Sequence, residues 1–176
     1  MSRPVAVVIL IILAAGVFWG MWRSWIQQTR REQDKINPLP KAPQKLGAHL
    51  RSYPEIIYVS TVFHGKYLER VHAYKLGVRT KAKVATYQNA LVITAPNGLA
   101  LNLEWVNLTE VYFSNGMIGK FVGKNRLLNL SWTHQNEGEK LTLVTGIYVP
   151  DNTQRNDLYQ EISTKINNAK NPAETK

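Results

Sequence analysis

The chain has 176 residues, a formal net charge of +10 and no cysteine, so a disulfide framework, thiolate zinc sites and a cysteine nucleophile are excluded. Residues 1–45 hold seven Lys/Arg against two Asp/Glu and residues 46–176 hold fifteen against ten, so each part carries +5 and the shorter is the more densely basic. Cations packed behind an apolar segment point to a membrane surface, although a basic chain also admits nucleic acid.

From Pro4 to Trp22 nineteen residues carry no charge. As a helix they reach roughly 28 Å, close to one hydrocarbon core. Trp19, Trp22 and Trp25 fall three apart at the downstream end, where indole rings favour the headgroup layer. Residues 1–26 are therefore expected to form a single transmembrane anchor whose partner is the lipid bilayer. A cleaved leader fits less well, because the small residues Ala14, Ala15 and Gly16 are followed by Val17, Phe18 and Trp19 rather than by polar sequence. A buried core helix needs a polar face, and this segment is apolar all round. Gly16 and Gly20 have the spacing of close-packing helices, which chance supplies readily in an apolar segment. Arg23, Arg30, Arg31 and Lys35 follow the span while Arg3 alone precedes it, so the positive-inside rule predicts a cytoplasmic C-terminal domain.

Residues 27–45 read as a linker. Its first part is polar, free of Gly and Pro, and able to continue the helix; its second part contains Pro38, Pro40 and Pro43, which forbid helix and favour a semi-rigid spacer. The domain is expected to span 46–170, with 171–176 as a tail.

Within the domain the apolar period is two. Ile56, Tyr58, Thr61 and Phe63 lie in one β-rich run, and Arg79–Tyr87 reads as a strand with Arg79, Lys81 and Lys83 on one face. Gln88-Asn89 and Pro96-Asn97-Gly98 are turn signals around the strand Ala90–Thr94. Leu99, Leu101 and Leu103 alternate with polar or small residues, and so do Leu128, Leu130 and Trp132. A short strand is expected at Thr109–Phe113 and a last one at Lys140–Tyr148, after a turn at 135–138. The period then becomes 3.6: Leu158, Ile162 and Ile166 predict one amphipathic helix, started by Asp151 or Asn152. The expected fold is mainly β with helices, in which six or seven antiparallel strands form a bent sheet or partly open barrel capped by a C-terminal helix.

Catalytic signatures are missing from the sequence. His49, His64, His72 and His134 lack metal-ligand spacing. There is no nucleophile elbow, phosphate loop or dinucleotide turn. Nothing holds Glu104 and Glu110 in one cleft as paired acid and base. No catalytic residue, metal or cofactor is nominated, and a non-enzyme is expected.

The one candidate site is cationic. Lys66, Arg70, Lys75, Arg79, Lys81 and Lys83 fall within eighteen residues with Glu69 as the single acid, and Lys120, Lys124 and Arg126 form a second group. Anionic lipid headgroups or an acidic partner suit such a surface, and a solvated strand face that blocks edge pairing is the plainer account. Nucleic acid would use aromatics among the cations, and Tyr67, Tyr74 and Tyr87 do interleave, but a membrane anchor argues against it.

The segments Tyr58–Val71, Lys75–Val84, Ala90–Ser114 and Gly119–His134, followed by the terminal helix, together resemble a family of bacterial single-pass, membrane-anchored pleckstrin-homology-like (PH-like) proteins. The resemblance covers nearly the whole chain through apolar and turn pattern. It implies a PH-like sheet, no enzymatic activity, and a scaffold or binding role at the inner membrane face. It also implies an unidentified protein partner from the pyrimidine pathway or the envelope, because relatives are often encoded among pyrimidine-biosynthesis genes. Lipid-binding folds of this type hold phosphorylated headgroups with cations near the first strand. The alternative is an exported envelope or surface domain held by an uncleaved signal anchor.

Overall fold

A computed structural model describes residues 3–36, 39, 46–66, 68–136 and 139–170. The prolines Pro38, Pro40 and Pro43, Tyr67, the turn residues Glu137 and Gly138, and the tail 171–176 lie outside them.

The first element is one unbroken helix, α1 (Arg3–Ile36). Its apolar stretch Val7–Gln28 is long and apolar enough to cross a membrane, and none of that stretch is buried. The helix continues through the polar segment because nothing between Arg23 and Ile36 breaks it. It ends inside the domain. Ile36 is fully buried and Leu39 packs beside it, although both belong to the segment read as a linker.

The strands follow as β1 (His49–Phe63), β2 (Thr80–Tyr87), β3 (Ala90–Thr94), β4 (Ala100–Glu104), β5 (Leu108–Ser114), β6 (Gly116–Met117), β7 (Lys120–Phe121), β8 (Leu127–Asn136) and β9 (Glu139–Tyr148). The helix α2 (Asn152–Lys170) comes last. Seven strands form one antiparallel sheet in the order β4-β3-β2-β1-β9-β8-β5, and β6 pairs with β7 as a separate hairpin. The sequence pattern gives the large sheet and misses the hairpin.

The long strand β1 serves both halves of the sheet, and beyond the register shift between His49 and Arg51 near its start its pairing is irregular at two further points. Tyr53 pairs with Val84 and Ile56 with Ala82, so Pro54 and Glu55 bulge against one partner residue. A bulge is where a proline is tolerated inside a sheet. A second shift lies between Tyr58 and Ser60 against β9. It turns Val59 and Val62 to the outer face while Tyr58 joins the main core.

The main core gathers Ile56, Tyr58, Leu91, Leu101, Leu130, Trp132, Ile147 and the α2 residues Leu158, Ile162 and Ile166. Asp151 starts α2, its Oδ1 accepting from the Gln154 N–H at 2.7 Å. On β5, Phe113 stacks on Tyr159 at 4.8 Å between centroids. The connection 64–78 is integral to the domain: Val71, Ala73 and Leu76 are buried in the same core. The end of α1 contacts its 3-10 turn, Ala73–Lys75.

A buried relay of hydrogen bonds joins these parts. Trp132 Nε1 donates to Thr145 Oγ1 at 2.9 Å, Thr145 and Thr61 share a bond of 2.8 Å, Thr61 and Tyr58 one of 2.6 Å, and the Tyr58 hydroxyl donates to the Leu76 carbonyl at 2.7 Å. Indole can only donate and a carbonyl can only accept, so the direction of every bond is fixed from Trp132 to Leu76. Burial pushes the Tyr58 hydroxyl well above its ordinary pKa, which keeps it protonated.

Candidate functional site

The hairpin β6–β7 folds over the outer face of β1, β9, β8 and β5. Met117 and the outward-facing Val59, Val62, Leu127 and Val144 form a second, smaller core, with Ile118, Val122 and Tyr148 at its margin. The turn of the hairpin is Ile118-Gly119, and both residues have positive φ, 58° and 67°. That conformation suits a two-residue hairpin turn but disfavours a β-branched side chain. Strain of this kind persists where surrounding packing holds it, and here Ile118 packs against the small core.

Two hollows flank the hairpin. One, of about 470 Å³, is lined by residues that include Leu68, Tyr112, Met117, Ile118, Phe121 and Asn129. Asn129 is buried and donates to Ser114 Oγ at 2.7 Å, which fixes the floor. The other, of about 570 Å³, is lined by Val59, Arg79, Lys120, Phe121, Val122 and Tyr148. The side chain of Phe121 borders both and is 75% exposed, and Leu68 is 79% exposed. An exposed aromatic ring beside two cations presents an apolar and a positive surface together.

The cations named from sequence are therefore only partly brought together. Arg79 and Lys120, from different groups, meet at one hollow. Lys66 pairs with Glu69 at 3.0 Å and lines a separate hollow with His64 and Lys140. Arg70 is half-buried where it bridges to Val62. Lys75 donates to the Asn97 carbonyl in the β3–β4 turn. Lys81 and Lys83 stand exposed on β2, with Ala82 between them and Val84 after them turned inward. Lys124 is exposed in the turn after β7. Sequence reasoning missed Leu68 and Phe121. The one signal for Phe121 was an aromatic residue in a short Gly-rich stretch with no apolar alternation around it.

Tyr53 and His134 lie away from these two hollows. The Tyr53 hydroxyl donates to Glu161 Oε2 at 3.1 Å, and burial raises its pKa. His134 is buried, its Nε2 has no partner among the described residues, and burial lowers its pKa against a raising hydrogen bond to the Ile36 backbone. Among the described residues no three His, Asp or Glu gather to hold a metal ion.

The sheet order, with its terminal helix on β5, agrees with a family model described as "Bacterial PH domain-like", which matches residues 36–163. The chain belongs to this bacterial PH-like family. Its matched region begins at Ile36, the residue at which α1 enters the core. No curated protein matches this PH-like chain in sequence. One similar solved structure is titled "The 8S snRNP Assembly Intermediate", with 13% identity, 73% of this chain and 88% of that chain covered, and a TM-score of 0.48.

The three tryptophans all lie within the apolar stretch of α1 and are exposed, with the Arg23 guanidinium 5.7 Å from the centre of the Trp19 ring.

Proposed function

We propose that this chain is a membrane-tethered PH-like binding or scaffold module without catalytic activity, its domain on the cytoplasmic side. The observation that carries this reading is α1. Its 22-residue apolar stretch, none of it buried, runs without a break into Ile36 at the domain core. Apolar surface on that scale is stable in a bilayer rather than in water. The Trp residues at its downstream end and the Lys/Arg beyond them support an anchor with its domain inside.

Membership in the PH-like family supports binding rather than chemistry, and the candidate surface is the hairpin with its two hollows. The partner is an unidentified protein of the pyrimidine pathway or the envelope, with anionic lipid as a second ligand. No cofactor is assigned and nucleic acid is disfavoured by the anchor. Extraction of membranes at alkaline pH tests the tether: the full chain stays with the bilayer, and a variant with Leu10, Leu13 and Phe18 changed to Gln is released. Release of the unaltered chain would refute it. An exported domain on the same anchor is the second topology, favoured only if a C-terminal reporter works outside.

A further inference from the structure

We infer that the free edge of the sheet, strand β4, pairs with β4 of a second copy of this chain. The pairing needs no contact with a bilayer, so it stands apart from the tether and from the hairpin surface.

The two edges of the sheet differ. Along β5, α2 packs against the strand and Lys170 Nζ donates to the Thr109 carbonyl at 2.7 Å. Along β4, β3 is the one neighbouring strand among the described residues. The Ala95 N–H donates to the Leu99 carbonyl at 2.9 Å and the Trp105 N–H to the Asn89 carbonyl at 3.3 Å, one just beyond each end of β4. The residue pairs between β3 and β4 keep that register without a bulge. Bonded and non-bonded pairs alternate along an antiparallel ladder. Leu99, Leu101, Leu103 and Trp105 therefore turn their backbone groups to β3, and Ala100, Asn102 and Glu104 turn theirs to the free edge. Lysine, proline or a bulge commonly blunts such an edge. The run Ala100-Leu101-Asn102-Leu103-Glu104 has none of these.

The pattern of β4 is its own complement. With a two-fold axis at Asn102, antiparallel copies place Ala100 opposite Glu104 and Asn102 opposite Asn102. All the outward-turned residues then form bonded pairs, giving about six backbone hydrogen bonds. The two Asn102 amides, each half-buried, meet on the axis and can bond each other. Leu101 lies beside the other copy's Leu103 on the core side. The two Glu104 carboxylates stand apart, each carried toward the other copy's β3–β4 turn. Lys75 donates to the Asn97 carbonyl of that turn, and Gly98 in it lies about 7 Å along the chain from Ala100. Opposite charges thus close both ends of the seam. Val106, 71% exposed just past Glu104, comes against the same turn. A patch that matches itself in hydrogen bonds and in charge selects a second copy over an arbitrary extended segment.

The chain has no cysteine, so cross-links can be placed singly. Full-length Ala100→Cys and Glu104→Cys, carrying different tags, are co-expressed, and intact cells are oxidised with membrane-permeable diamide. Bonded pairs lie about 5.5 Å apart between Cα atoms, within disulfide range. The expected result is a mixed disulfide dimer, and a dimer from Asn102→Cys alone. Ala100→Cys alone, or Val92→Cys one strand inward, gives at least about fivefold less. Asn102→Lys in both copies sets two cations face to face and lowers the mixed dimer about fivefold, while thermal unfolding shows the domain intact. Equal cross-linking at positions 92, 100 and 102 would overturn the pairing, because it reports collision or contact through α1. Absence of a cross-link at every position would overturn it as well. A disulfide from Asn102→Cys to a protein other than this chain, in place of the dimer, would overturn the second copy and give the edge to another protein's strand.

Discussion

Met117 sits on Gly146: a Cβ placed on that glycine would lie 3.1 Å from the Met117 Sδ and 3.2 Å from its methyl carbon. The missing side chain on β9 is what lets the β6–β7 hairpin lie close to the sheet. That seat sets the position of Lys120 and Phe121, two and three residues further along the hairpin from Ile118.

The first prediction follows from this contact. Gly146→Val forces Met117 away and costs about 1–3 kcal/mol, as overpacking does in a filled core. The hairpin moves with it. Thermal unfolding measures the stability loss, and an environment-sensitive dye attached to Phe121→Cys, the chain having no other cysteine, reads the displaced hairpin. Met117→Ala is the complementary change: it empties the seat without lifting the strand, so it lowers stability with a smaller effect on the dye.

The buried relay gives a second prediction. Thr145→Val removes the acceptor of the fully buried Trp132 indole N–H. A buried unsatisfied donor costs about 1–3 kcal/mol. Thr145→Ser keeps the hydroxyl and loses less. Denaturant unfolding of the two variants side by side separates the lost hydrogen bond from the lost methyl group.

His134 sets a pH dependence. Burial holds its folded pKa below the ordinary value of about 6.5, so the folded domain keeps it neutral while the unfolded chain takes up a proton first. Its stability contribution is therefore present above pH ~6.5 and is lost as pH falls below it. Unfolding at pH values on either side of that point shows the loss, and His134→Gln flattens that part of the curve. Because His134 bonds to the Ile36 backbone, the acid effect is centred on the seam between anchor and domain.

The same seam is tested by packing. Ile36→Ala removes a fully buried side chain and costs about 2–5 kcal/mol, comparable with Ile162→Ala on α2. A residue in a mere spacer would cost nothing. Unfolding of both variants in the full chain gives the comparison.

The large sheet and α2 were legible because their residues obey one period each. Leu99, Leu101 and Leu103 alternate along the edge of the sheet, and Leu158, Ile162 and Ile166 repeat along one helix face; all but the edge residue Leu99 lie within the elements themselves. The hairpin was not legible, because two strands of two residues around Ile118-Gly119 are too short to show any period. Ile36 was hidden for a different reason: it is one apolar residue between a charged run and a group of prolines, and its burial depends on the distant residues Val71, Ala73 and Leu76. The meeting of Arg79 with Lys120 is likewise tertiary. Chain proximity grouped Arg79 with Lys81 and Lys83, whereas folding places it at the hairpin.

The most direct test of the account is the location of the domain. A dual reporter fused after Lys176, fluorescent in the cytoplasm and enzymatically active only outside it, is read in intact cells together with alkaline extraction of the membranes. The account predicts a fluorescent, enzymatically silent fusion that stays with the bilayer. An active external reporter would contradict the cytoplasmic placement, and a fusion released from the membrane would contradict the tether itself.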